Sequence, residues 1–167
     1  MADQSTTPAR ADDISIVAFE PRHAAAFSAL NIAWLERFFA VEDKDREQLG
    51  AAQARVIDKG GAILIAEDEA GVALGCVALI PYAEGELELA KMAVAEAAQG
   101  RGVGRKLMDA AIARAQAMGA RSLYLESNKA LIPAITLYER SGFQHLAPEA
   151  RPKSPYARCD VYMRRAL

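Results

Sequence analysis

ELAKMAVAEAAQGRGVGR, from Glu88 to Arg105, reads as a strand whose alternation breaks, then a short loop. Gln99-Gly100-Arg101-Gly102-Val103-Gly104 follows and opens an amphipathic helix. Leu87 and Leu89 share one parity, Met92 and Val94 the other. A strand cannot exchange its apolar face without an extra residue, so the pattern predicts a bulge near Ala90-Lys91. Plain exposure of Ala90 and Lys91 is the simpler alternative. A bulge there splays the strand from its neighbour and leaves N–H and C=O groups for an extended, amide-bearing ligand. Past the loop, three glycines at alternate positions let backbone approach a ligand. The helix start aims unpaired N–H groups and the positive end of its dipole the same way. That combination holds a phosphate group. A flexible turn is the structural alternative, but three ordered glycines cost about 0.5–1 kcal/mol each against alanine, and a mere turn does not require them.

Two familiar phosphate loops fail against this stretch. The Walker pattern needs GxxxxGK followed by Ser or Thr, whereas Gly100 and Gly104 are followed by Arg105 and Lys106. The dinucleotide pattern GxGxxG asks for a third glycine at Arg105 or Leu107. Glu126 does end a candidate strand about twenty residues on, where a ribose-binding acid sits, so a dehydrogenase stays as a distant reading. A third pattern, Gln/Arg-x-x-Gly-x-Gly/Ala, matches at Gln99, Gly102 and Gly104.

Composition narrows the class. A chain of 167 residues, 52% apolar and 25% charged, is sized for one core. The expected division is a loose tail over residues 1–12 and one domain over 13–167. A net charge of −2 supplies no basic field for nucleic acid or an anionic membrane. No apolar run approaches a membrane span, and Met1–Arg10 lacks the apolar core of a secretory signal. Cys76 and Cys159 have no CxxC spacing and read as buried thiols of a reducing cytoplasm.

The remaining segments alternate in type. Strands are expected at 14–19, 62–67, 72–82, 86–94, 122–126, 143–146 and 157–163. The last has Ala157, Cys159, Val161 and Met163 inward. A helix starting at Pro21 carries Phe27, Leu30, Trp34 and Phe38 on one face, and Asp45 with Gln48 caps a second, reaching Lys59. Leu107, Ala111 and Ala115 mark a third, ending near Met118-Gly119. Leu131, Ala134, Ile135 and Tyr138 mark a fourth, stopped at Gly142. A mixed sheet covered on both faces follows from this order.

Four pieces in order, ELAKMAV, QGRGVG, LYLESN at 123–128 and AITLYERSGF at 134–143, resemble the GNAT superfamily of acyl-CoA-dependent N-acyltransferases. QxxGxG alone is a weak signal; joined to Asn128 and the LYE–GF ending, it is specific. The likeness runs over roughly residues 14 to 163. It implies an α/β domain with a central mixed, mostly antiparallel, twisted sheet of about seven strands. That sheet is splayed between the fourth and fifth strands, with about four helices on its two faces. It also implies acetyl transfer from acetyl-CoA, a cosubstrate, to a primary amine by direct attack in a ternary complex, with no metal. Pantetheine then pairs with the backbone of Met92, Ala93 and Val94, and the pyrophosphate rests on Gln99, Gly100, Arg101, Gly102, Val103 and Gly104. Arg105 adds charge, although a solvated helix start explains it equally. Asn128 maps to the asparagine that contacts the cofactor, and Tyr138 to the general acid. Without the likeness, Asn128 is a turn former and Tyr138 a core tyrosine.

Glu88 is the first candidate for a base, ahead of Glu86 and Glu126, since a partly desolvated carboxylate suits proton abstraction. No single base is also compatible with direct attack. Trp34, Phe38, Phe39, Tyr82 and Tyr156 are the expected acceptor walls, with Glu42 and Asp43 to attract a cationic amine. Arg158, Asp160 and Tyr162 equally suit a carboxylate-bearing acceptor such as an amino acid. The partner is a small-molecule amine first and a protein amine second, with no nucleic acid or membrane, in a monomer or homodimer. A non-catalytic acyl-CoA sensor is the rival function.

Overall fold

The computed structural model describes residues 13–167; the tail expected at 1–12 lies outside the described residues. Seven strands form one sheet: β1 (Ser15–Ala18), β2 (Ala62–Glu67), β3 (Ala73–Ala83), β4 (Glu86–Val94), β5 (Ser122–Ser127), β6 (Gln144–His145) and β7 (Val161–Ala166). Their spatial order is β1-β2-β3-β4-β5-β7-β6, antiparallel throughout except for the parallel pair β4–β5. Four α-helices cover it: α1 (Ala24–Phe38), α2 (Asp43–Gly50), α3 (Val103–Ala117) and α4 (Ile132–Arg140).

The two faces of the sheet hold separate cores. On one face Leu64, Val77, Leu79, Leu87, Leu89, Leu123, Leu125 and Met163 meet α3, with Ile135, Leu137 and Tyr138 of α4 alongside. The expected α3 stripe holds: Leu107, Met108, Ala111 and Ala115 are all fully buried. Leu107 and Met108 each stabilise by about 1.5–3 kcal/mol through burial. On the other face Ile63, Ile65, Cys76, Ala78 and Ala93 pack against Phe27 and Leu35 of α1 and Leu49 of α2.

Three local expectations are corrected. The buried stripe of α1 is Phe27, Asn31 and Leu35, a strict i, i+4 row; Trp34 is half-buried and Phe38 exposed. Both rings line the larger of two cavities, and Trp34 alone also lines the smaller one. The second helix begins at Asp43, not Asp45. Glu42 is its N-cap, and Asp45, three residues on, accepts from the Glu42 N–H at 3.0 Å. It runs only to Gly50, and Gln53–Ile57 follows as a π-helical turn. The last strand spans Val161–Ala166. Val161 and Met163 face inward as expected, but Ala157 is exposed in the preceding turn, because pairing with β5 starts at Ser127↔Val161.

Candidate active site

The predicted bulge is present. Ala78 pairs with Ala90 and Cys76 with Ala93, so two steps on β3 answer three on β4. Lys91 absorbs the extra residue with φ 53°, a left-handed conformation rare outside glycine. The face switch works as parity demands: Met92 and Val94 join Leu87 and Leu89 on the α3 side. β4 and β5 pair only at Glu86↔Ser122, Leu87↔Leu123 and Glu88↔Tyr124. Beyond Glu88 the strands part, and β4 keeps only its β3 partner.

The fork opens onto a cavity of about 530 Å³, within the ordinary range for a cofactor-sized ligand. Met92, Ala93 and Val94 line one side; Gln99, Gly100, Gly102, Val103 and Gly104 form its end. Gly100 and Gly102 adopt φ 76° and 77°, which a side chain would strain. Gly102 is the N-cap of α3 and offers no side-chain cap, and no acidic residue lies in the first turn. α2 is the contrast, with Glu42 capping and Asp43 and Asp45 in its first turn. Its bare amides and positive dipole end fit α3 to a phosphate group.

Not every expected residue reaches this cavity. Arg101 and Arg105 do not line it. Arg105 is exposed and pairs with Asp109 at 3.5 Å, while Nε and Nη2 of Arg101 are buried without a partner among the described residues. Arg37, in the last turn of α1, does line it and was missed; as one cation on a solvated helix face it carries no sequence signal. Asn128 works as a turn former: Nδ2 donates to the Arg158 carbonyl at 2.6 Å and Oδ1 accepts from the Ala130 N–H at 2.8 Å.

A second cavity of about 140 Å³ lies on the other side of a neck formed by Trp34, Met92, Leu131 and Tyr138, which line both spaces. Burial pushes the Tyr138 hydroxyl up to about 12, so it keeps its proton across the physiological range. Glu88, Lys91, Glu126, Phe39, Tyr156 and Arg158 line the second cavity. Glu88 stands at the fork with no side-chain hydrogen bond among the described residues. Burial first, and the charge of Glu126 second, raise its pKa to about 6 against the opposing pull of Lys91. Its two competitors are engaged. Glu86 accepts from Arg164 at 2.6 and 3.0 Å and from Ser122 at 2.7 Å; Glu126 accepts from Tyr124 at 3.0 Å and Ser154 at 2.9 Å.

Tyr82 is not a wall of either cavity. Its ring stacks on Tyr124 with centroids 4.5 Å apart, at the paired end of the fork. Tyr156 is a wall, held by a 2.7 Å bond from its hydroxyl to Gln48. Arg158, expected on a strand, instead reaches from the preceding turn to fully buried Asp45 at 2.7 Å. Burial works to raise the Asp45 pKa, but the bonds from Arg158 and the Glu42 N–H prevail and lower it. Burial pushes the thiol of Cys76 up to about 12, and burial also raises that of Cys159 above its ordinary value, so neither is a ready nucleophile.

Residues 26–143 match the model of the Acetyltransferase (GNAT) family. An "Uncharacterized N-acetyltransferase" of Schizosaccharomyces pombe is 34% identical over 105 residues. The match covers 62% of this chain and 63% of that protein's length. A GNAT-family acetyltransferase from Staphylococcus aureus Mu50 superposes with a TM-score of 0.84 at 18% identity, over 92% of this chain and 99% of that one. The yncA protein of Salmonella typhimurium, solved with its cofactor acetyl-CoA, superposes with a TM-score of 0.73 at 24% identity, over 92% and 94%. With its bulged β4, its fork and its glycine-started α3 all inside the matched span, the chain belongs to the Acetyltransferase (GNAT) family.

Proposed function

We propose that this protein transfers an acetyl group from acetyl-CoA to a primary amine by direct attack in a ternary complex. One observation carries the reading: the fork between β4 and β5 leads from the bare start of α3 to a neck at Tyr138, with Glu88 beyond it. Met92, Ala93 and Val94 offer the pantetheine arm the strand edge that β5 leaves free, and Gln99, Gly100, Gly102, Val103 and Gly104 cradle the pyrophosphate. Arg37 replaces Arg105 as the flanking cation. Asn128 acts by shaping the turn before α4. Acetyl-CoA supplies an activated acyl carbon at the neck; the chain supplies alignment and proton transfer.

Glu88, ionised above about pH 6, takes a proton from the incoming ammonium, directly or through one water. Tyr138, protonated far above neutrality, gives its proton to the departing sulfur. Thiols titrate near ~8.5, so that donation helps without being obligatory. With Cys76 and Cys159 held as thiols, direct attack needs no acyl-enzyme. A sensor without turnover has no use for an unpartnered carboxylate at the fork, which favours the enzyme over the rival. The two free thiols suit a cytoplasmic setting.

The test is free-thiol release from acetyl-CoA across a panel of amines, repeated with Tyr138→Phe. Retained acetyl-CoA binding with transfer reduced at least about tenfold supports the reading. Binding without release for every amine supports the sensor instead.

A further inference from the structure

The smaller cavity carries charge of both signs, and the two signs differ in how far the protein satisfies them. Arg158 is engaged: its terminal nitrogens lie 2.7 and 3.3 Å from Asp45, and Glu42 is 3.7 Å away. Lys91 is not. Its ammonium makes one 3.3 Å bond to Gln48 and lies 5.5 Å from the centre of the Tyr156 ring. No carboxylate stands within ion-pair distance among the described residues. Burial lowers its pKa against the distant charges of Asp45 and Glu88. The bulge is what fixes it there, since the left-handed backbone at Lys91 is specified by the register shift. Glu88, three residues earlier on β4, lines the same cavity and is a carboxylate with no donor among the described residues.

A cavity of about 140 Å³ falls below the roughly 300–1,000 Å³ of sites for drug-sized ligands. We propose that the acceptor is a small α-amino acid, its carboxylate paired with Lys91 and its ammonium facing Glu88. The inference rests on the transfer reaction proposed above and names its substrate class. A polyamine brings a second cation toward Lys91 and meets repulsion. An aminoglycoside, like a polyamine, brings further cations toward Lys91, and a protein N-terminus has no carboxylate beside its amine. In the reaction the amine nitrogen bonds to the acyl carbon and the C–S bond breaks. One ammonium proton passes through Glu88 to water. The second nitrogen proton replaces the one that Tyr138 gives to sulfur, leaving an N-acetyl amino acid and free thiol.

The experiment measures thiol release from acetyl-CoA with matched sets: L-methionine, L-leucine and L-threonine, each against its amide and its decarboxylated amine, plus spermidine. The expected result is kcat/KM at least about tenfold higher for the free amino acids, the effect of one charge-assisted pair. At pH 8, where Glu88 is ionised with or without the charge of Lys91, Lys91→Gln should raise KM for the amino acid about tenfold relative to that for its decarboxylated amine, while Lys91→Arg keeps the preference. Equal or better rates with the decarboxylated amines or spermidine overturn this inference and leave the transfer reaction standing. No release with any amine overturns both. Should Lys91→Gln fail to fold, the matched sets on the unsubstituted protein decide alone.

Discussion

Replacing Glu126 with Gln should move the acid limb of the acetylation profile to lower pH, and by an amount the site sets. Glu88 accepts a proton only when ionised, and its pKa stands at about 6 against an ordinary 4.5. At pH 5 about one tenth of such a carboxyl is ionised, against about three quarters of an unperturbed one. Burial is the larger cause and the charge of Glu126 the second. Removing only the second should lower the pKa by roughly half a unit. Activity at pH 5, relative to each protein's own plateau, should then rise about two- to threefold in Glu126→Gln. The assay is kcat/KM from pH 4.5 to 8, taken as a ratio between variant and parent so that the amine's own titration cancels. Tyr82, Tyr124, Tyr156, Tyr162 and Cys159 also feel the charge of this pair, but all have pKa values raised above their ordinary ones, keep their protons from pH 4.5 to 8 and add no limb there. Glu88→Gln should lose about 10²–10⁴ of the rate and the limb with it. An acid limb that stays put in Glu126→Gln, or a Glu88→Gln protein within threefold of the parent, refutes Glu88 as the base.

Asp45→Asn breaks a buried ion pair and should cost up to about 3 kcal/mol in urea unfolding at pH 7, the low end for such a loss because Glu42 remains near Arg158. The folded pKa of Asp45 is lowered from 3.8. The pair's contribution is therefore complete above that value and lost as pH falls through the folded one. The gap between variant and parent should close below about pH 4. Gly102→Ala places a Cβ in open space at φ 77°. It should cost roughly 1 kcal/mol in thermal unfolding from backbone strain and shrink the stabilisation that acetyl-CoA confers. In Tyr138→Phe, transfer should fall at least about tenfold while acetyl-CoA raises the melting temperature as it does in the parent.

The fork was legible because two constraints met in one strand. The parity switch between Leu89 and Met92 demands a bulge, and the bulge at Lys91 follows directly on the point past Glu88 where β4 leaves β5. Glycine spacing gave the helix start, since positive φ at Gly100 and Gly102 restricts residue choice. The acceptor side was less readable, because its residues converge from distant elements. Gln48 of α2, Lys91 of the bulge and Tyr156 before β7 meet through single hydrogen bonds and ring contacts that leave no periodicity. Arg158 was misplaced for the same reason: alternation from 157 onward imitates a strand, but its pairing with buried Asp45 holds the chain in a turn. Tyr82 was drawn toward the site by aromatic composition, and stacking on Tyr124 claims it instead.

A crystal structure grown with acetyl-CoA tests the account most directly. It should show the pantetheine amides bonded to β4 between Met92 and Val94, the pyrophosphate on the amides of Gln99–Gly104, and the thioester at the neck beside Tyr138. A nucleotide bound away from the start of α3, or β4 and β5 paired continuously past Glu88, would contradict it.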